Sequence, residues 1–280
     1  MTTAAKTRSI VPGFRLTLGV TLFYLVLMVV IPLAGLVFKT STLSWDQLWR
    51  TVSSPRVLAA VRLSVGAALA AALVNAVFGT LLAWVLTRYK FPGRSLVDAL
   101  VDLPVALPTA VAGLALTAIY SDNGMIGRFT QDVFGWSVAF TPTGVFIALV
   151  FVGIPFLVRT VQPVLQDLEK AHEEAGATLG ASSWQNFRYV LLPQLMPAIV
   201  TGGALAFGRA VGEYGSVIFI AGNVPMVSEI APLLIVSKLE QYDYAGATAI
   251  ALVLLGISII MLTAINHLQT RLQRYRQPLV

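Results

Sequence analysis

Uncharged windows at 16–38, 63–87, 103–121, 133–158, 189–208 and 244–270 dominate this sequence. Each approaches or exceeds the ~20 apolar residues with which a helix crosses the ~30 Å hydrocarbon layer of a bilayer. Hydrocarbon offers backbone groups no hydrogen-bond partners, so windows of this length fold as helices that satisfy their own N–H and C=O groups. The expected fold class is an all-α membrane protein with six transmembrane helices. Composition agrees: 57% of the residues are apolar and 11% charged, where soluble domains carry about 25% charge. The fifth helix is expected to start near Met196 and to continue past Arg209 and Glu213 to about Ile220. The first window follows Lys6, Arg8 and Arg15, as a signal peptide would. It holds 23 uncharged residues, however, and ends in Leu-Val-Phe-Lys without a small-residue cleavage site, so it is expected to be retained.

The net charge of +6 is spread in small groups between the apolar windows rather than clustered, which argues against nucleic-acid binding. Placing the N-terminus inside puts Lys6, Arg8, Arg15, Arg88, Lys90, Arg94, Arg159, Lys170, Arg188, Arg271, Arg274 and Arg276 in cytoplasmic segments. Lys39, Arg50, Arg56, Arg62, Arg128 and Lys238 then fall outside. Cations favour the cytoplasmic side, so a multi-pass protein of a bacterial-type cytoplasmic (inner) membrane with both termini cytoplasmic is expected. The external segment 39–62 carries Trp45, Leu48 and Trp49, a pattern for a short helix at the headgroup level.

Several chemistries are excluded. With no cysteine there is no disulfide framework or thiolate. His172 and His267 stand apart from carboxylates at ligand spacing, so no metal site is expected. No G-x-x-x-x-G-K-[ST] run is present to cradle ATP phosphates. The chain is not expected to be an enzyme, and it needs no cofactor of its own.

The longest cytoplasmic connection, Arg159 to Pro193, reads RTVQPVLQDLEKAHEEAGATLGASSWQNFRYVLLP. Pro163 allows a fresh helix start, after which Leu165, Leu168, Ala171, Ala175 and Leu179 recur at helical spacing. Gly180 fits the position after a helix end, and Ser182 or Ser183 suits the cap of a second short helix. Such an amphipathic pair serves either as a solvated loop or as a protrusion that docks in another protein's groove.

Glu174-Ala175-Gly176, then Gly180, then Val190-x-Leu192-Pro193 closely resembles the EAA signature of ABC importer permeases. Gly176 stands for the second alanine and Val190 for isoleucine. The resemblance implies a type I ABC importer fold in which Glu173, Glu174, Ala175, Gly176, Leu179 and Gly180 form a coupling helix and corner that enter a partner ATPase. VPGFRLTLG from Val11, DLPVALPTAVAG from Asp102, RAVGEYGSVIFIAGN from Arg209 and LEQYDY from Leu239 are similar to the T-type permease of sulfate/thiosulfate importers. Molybdate permeases share part of this pattern. The resemblance implies a W-type permease partner, two ATP-binding subunits that carry ATP and Mg, and a periplasmic or surface sulfate-binding protein. It divides the chain into residues 1–57, with the first span and external segment, a five-helix core at 58–270 that includes the loop 163–193, and a cytoplasmic tail at 271–280. An ion-gradient-driven transporter is the alternative of another class, and an intramembrane enzyme a third.

Within the spans, Arg209 and Glu213 sit one helical turn apart. Charges there are costly unless paired or hydrated. A structural ion pair is the favoured reading, and a cation on an anion's route or a gating pair the other. Pro104 and Pro108 are expected to kink the third span, with Thr109 a candidate pathway-facing hydroxyl beside Pro108. Asn75 is expected to hydrogen-bond across helices.

Overall fold

A computed structural model describes residues 13–168 and 170–274. Five helices among them are long and apolar enough to span a membrane: Leu16–Thr40, Pro55–Arg88, Pro142–Asp167, Ser183–Val211 and Tyr244–Arg271. The first consists of α1 (Phe14–Leu25), a π segment and α2 (Ile31–Thr40). It lies beside the body as an outrigger: none of the described side chains in 14–30 is buried, and α2 rests on α15 (Tyr244–Arg274). Between α2 and α4 (Pro55–Arg88) runs α3 (Trp45–Val52), opened by a Ser44–Gln47 capping box and exposing Trp45 and Trp49. This is the short amphipathic helix expected there.

The body is centred on α4, α9 (Pro142–Asp167) and α12 (Leu192–Val211). One face of α4 is nearly all small residues: Ala60, Ala67, Ala68, Ala71, Ala72, Gly79 and Ala83 are buried. Small side chains let membrane helices approach closely, which is how packing wins where lipid is as apolar as leucine. At the contact, a Cβ on Gly79 would lie 2.6 Å from Leu157 Cδ2. Asn75 Nδ2 donates to the Val150 carbonyl of α9 at 3.0 Å, the interhelical bond expected of it. Leu69, Leu73, Val77, Phe78 and Leu81 on the opposite side of α4 stay exposed, as a lipid-facing surface requires.

Three sequence expectations are corrected. The window 103–121 is not one helix: α6 (Leu103–Ala106) and α7 (Thr109–Tyr120) are separated by extended backbone at Leu107 and Pro108. Pro108 cannot donate, and the residue before a proline is driven out of the helical region. Any crossing made by this window is therefore composite. The window 133–158 begins with the end of α8 (Met125–Phe134), and the spanning helix starts only at Pro142. The fifth helix stops at Val211 instead of continuing to Ile220, and α13 (Val217–Ala221) follows a turn.

Candidate functional site

The loop between the fourth and fifth spans begins later than Pro163. Both Pro155 and Pro163 lie inside α9, which runs on to Asp167, and the break falls at Leu168. Leu165, fully buried with Leu86, Leu157, Val161 and Leu195, belongs to α9's packing rather than to the protruding helix. That burial outweighs the backbone bond the proline removes.

The protruding helix is α10 (Lys170–Thr178). It ends in a complete Schellman motif: the Ala181 N–H donates to Gly176 O and the Gly180 N–H to Ala177 O, each at 3.0 Å. Gly180 adopts φ +84°, where a β-carbon is strongly disfavoured. A capping box opens α11 (Ser183–Gln185), with Ser182 N–H donating to Gln185 Oε1 at 2.8 Å and Gln185 N–H to Ser182 Oγ at 3.3 Å. A π segment, Asn186–Leu191, joins it to α12. Trp84 of α4 meets Phe187 edge-on at 5.6 Å, and Trp184 stacks on Phe187 at 5.7 Å. The second arm of the hairpin is thus fastened to the body while the outer side of α10 is exposed: Glu174, Ala175 and Gly180 are exposed, and Leu179 is 89% exposed. The Glu173 side chain lies outside the described residues. Gly176 has a local reason to depart from alanine, since a Cβ there would come within 2.6 Å of Asn186 Oδ1.

Arg209 and Glu213 do form an ion pair, but across a helix end rather than along a helix. Glu213 lies in the turn after α12 with its side chain 1% exposed. Besides Arg209, it accepts from the Ser216 N–H at 2.9 Å and the Ser216 hydroxyl at 2.8 Å. Arg209 remains 35% exposed. The structure brings Thr109 to this turn: Gly215, lacking a β-carbon, sits directly against the Thr109 hydroxyl. One turn along α7, a Cβ on Gly113 would lie 2.5 Å from Ser216 O. The Arg209–Glu213 turn and the α6–α7 break are therefore pressed together, with Pro108 exposed beside them. A cavity of about 460 Å³ flanks the break, bounded by Asp102, Ala106, Pro155, Arg159 and Leu205, among others.

Among the described residues, two long-range ion-pair systems escaped the sequence reading. Arg56 binds Glu229 with two bonds of 2.7 Å, joining the first turn of α4 to the loop before α14 (Ala231–Glu240). A lone glutamate amid apolar residues was the available signal. Arg159, counted only as a cytoplasmic cation, pairs with Asp98 and Asp102. Asp98 lies on α5 (Arg94–Val101) and Asp102 at its end. Two carboxylates at i and i+4 on one helix face were the signal here. The hydrogen bond from Arg159, with its positive charge, holds the Asp98 carboxyl below its usual range.

Comparison with known proteins returns one family over most of the body. Residues 75–274 match the binding-protein-dependent transport system inner membrane component family. A sulfate transport system permease protein CysT from Salmonella typhimurium is 49% identical over 97% of this chain and 98% of the relative. One of the same name from Synechocystis is 52% identical over 91% of this chain and 89% of the relative. Among solved structures, a bacterial ABC transporter involved in the import of the acidic polysaccharide alginate aligns with a TM-score of 0.73. That alignment covers 92% of this chain and 95% of the other at 15% identity, a likeness of fold. The alginate transporter in complex with an alginate pentasaccharide-bound periplasmic protein aligns equally well, at 17% identity over 92% and 94% of the two chains.

Proposed function

Because the chain belongs to the family of binding-protein-dependent transport system inner membrane components, we propose that it is the permease subunit of an ATP-driven sulfate importer. The observation that carries this reading is the hairpin of α10 and α11, whose outer arm leaves Leu179 and Glu174 exposed. An exposed leucine at the end of a helix closed by a Schellman motif fits a groove in a partner. The partner is an ATPase, two copies of which bear ATP and Mg. The hairpin faces the cytoplasm, as do both termini, and α3 lies outside. A W-type permease completes the pathway, and a periplasmic or surface binding protein delivers sulfate. Both permease relatives cited above carry sulfate transport in their names.

Within this reading the geometry divides the labour. Both arms of the hairpin continue into spanning helices, the outer arm through Leu168 into α9 and the inner arm into α12. Force applied at α10 is therefore delivered to two of the three central helices. The far end of α12 bears Arg209, next to the interrupted third span, so rearrangement there opens or closes the route. Arg209 is neutralised by Glu213 and is not a free ligand for a dianion. That suits transit, since a tightly bound ion does not leave.

The test is ATP hydrolysis by the purified complex with sulfate-loaded binding protein. Stimulation by sulfate supports the reading, and stimulation by thiosulfate or molybdate alone redefines the cargo. Sulfate uptake driven by an ion gradient without ATP would overturn it.

A further inference from the structure

We propose that Arg159 is a positioning residue that makes α5, α6 and α9 one moving body, so that displacement of the α10 hairpin reaches the break at Leu107–Pro108. This rests on the permease reading above.

A guanidinium has five N–H bonds, and Arg159 uses every one of them on an acceptor. Nε donates to Asp102 Oδ1 at 2.8 Å and Nη2 to Asp102 Oδ2 at 2.6 Å, a two-pronged grip on one carboxylate. Nη1 donates to Asp98 Oδ1 at 2.8 Å and to Gln162 Oε1 at 2.7 Å. The remaining Nη2 hydrogen goes to the Asp98 carbonyl at 2.9 Å. Gln162 closes the ring by donating from Nε2 to Asp98 Oδ1 at 3.3 Å. A surface arginine that only balances charge has no need to saturate its fork, and most such pairs contribute ~0–1 kcal/mol. Here planar geometry fixes position and angle together.

The placement of the clamp gives it a task. Arg159 lies in the last part of α9, shortly before Asp167 and the hairpin. Its partners are on α5 and at the α5–α6 junction, with α6 ending directly at the extended pair Leu107–Pro108. Val101 packs in one cluster with Leu157, Val158 and Val161 of α9, and Pro104 is buried on α6. Beyond the break, Gly113 and Thr109 lie against the Glu213–Ser216 turn. One rigid joint thus sits between the loop and the interruption, and the interruption itself is the place left to bend. Lysine, with three donors on a point charge, cannot reproduce that grip.

The experiment uses the complex of this chain with its partner permease, ATPases and binding protein in lipid nanodiscs, at matched subunit content. R159K and D102N are expected to lower the ratio of sulfate-stimulated to basal hydrolysis several-fold, within the about 5–150-fold that coupling between sites spans. Asp102 is half-exposed, so D102N gives the readout even if R159K accumulates poorly. A double variant, D102C with R159C, adds a tether that charge does not explain. This chain has no native cysteine, so with cysteine-free partners a cleavable dithiol-reactive linker joins only that pair. Stimulation is expected to be lost in the unlinked pair, regained on linking and lost again on reduction. Wild-type stimulation in both R159K and D102N, or a linked pair that behaves as the unlinked one, overturns the proposal. If the unaltered complex shows no response to sulfate, the permease reading falls first.

Discussion

Glu213 and Arg209 are unequal partners. The carboxylate is sealed and holds three bonds, whereas the guanidinium keeps partial exposure. Removing one partner of a buried pair costs roughly 3–5 kcal/mol because the other charge is stranded. R209A should therefore lower the amount of folded protein more than E213A, and R209A/E213A should recover part of the loss. Immunoblots of membrane fractions measure this, and equal losses in the two single variants would refute the asymmetry. At Gly180 the surroundings are open, so substitution costs only the left-handed backbone, about 1–2 kcal/mol. G180N, which tolerates that region, should retain more stimulated hydrolysis than G180V. Asp98 sets the pH behaviour of the Arg159 clamp. Its folded-state value lies below the usual 3.8, so its contribution is fully present above that value and fades only as pH falls through the folded one. Stimulated hydrolysis that depends on this clamp should show no titration of Asp98 between pH 7 and 5. A D98N variant whose pH profile differs from wild type in shape, and not only in height, in that window would contradict the assignment. Gly180, Ser182 and Asn75 were readable in the sequence because their demands are local or chemically blunt. Arg159 was not, because its partners lie 57 and 61 residues away.

Among the helices, the hairpin was legible because capping chemistry is written within a few residues of each end. Where it starts was not. Pro163 is a helix breaker by rule, yet α9 passes through it because Val161 and Leu165 on either side are buried in the inner core. Tertiary burial overrode a local preference. The same tension, resolved the other way, interrupts the third span: Leu107 precedes Pro108 and adopts ψ 141°. The inner arm offers a further test. F187A removes the ring that links Trp84 to Trp184, and aromatic pairs add ~0.5–1.5 kcal/mol beyond their burial. It should leave the spanning helices inserted but loosen α11, read as faster proteolysis between Gly180 and Gln185. Unchanged cleavage would show that the capping box alone holds the arm.

For the molecule as a whole, charge bias gives a topology that one label can check. A cysteine at Ser53, just after α3, should react with an impermeant thiol reagent in intact cells. Reaction only after permeabilisation would invert every assignment of side, including that of the hairpin. The outrigger helix poses a matching question of scale, since none of the described side chains in its first half is buried while the three central helices bury one another.

The interrupted third span has a consequence for hydration. Helix α7 opens without a side-chain cap, and the first amides of any helix lack internal acceptors. At bilayer depth such groups persist only where water reaches them or protein covers them. On the permease reading, the gap between Ala106 and Thr109 is where water is expected to enter the body. Deuterium should reach the opening turn of α7 within seconds while the alanine face of α4 stays protonated for hours. In that contrast the protein would display where water enters the proposed route.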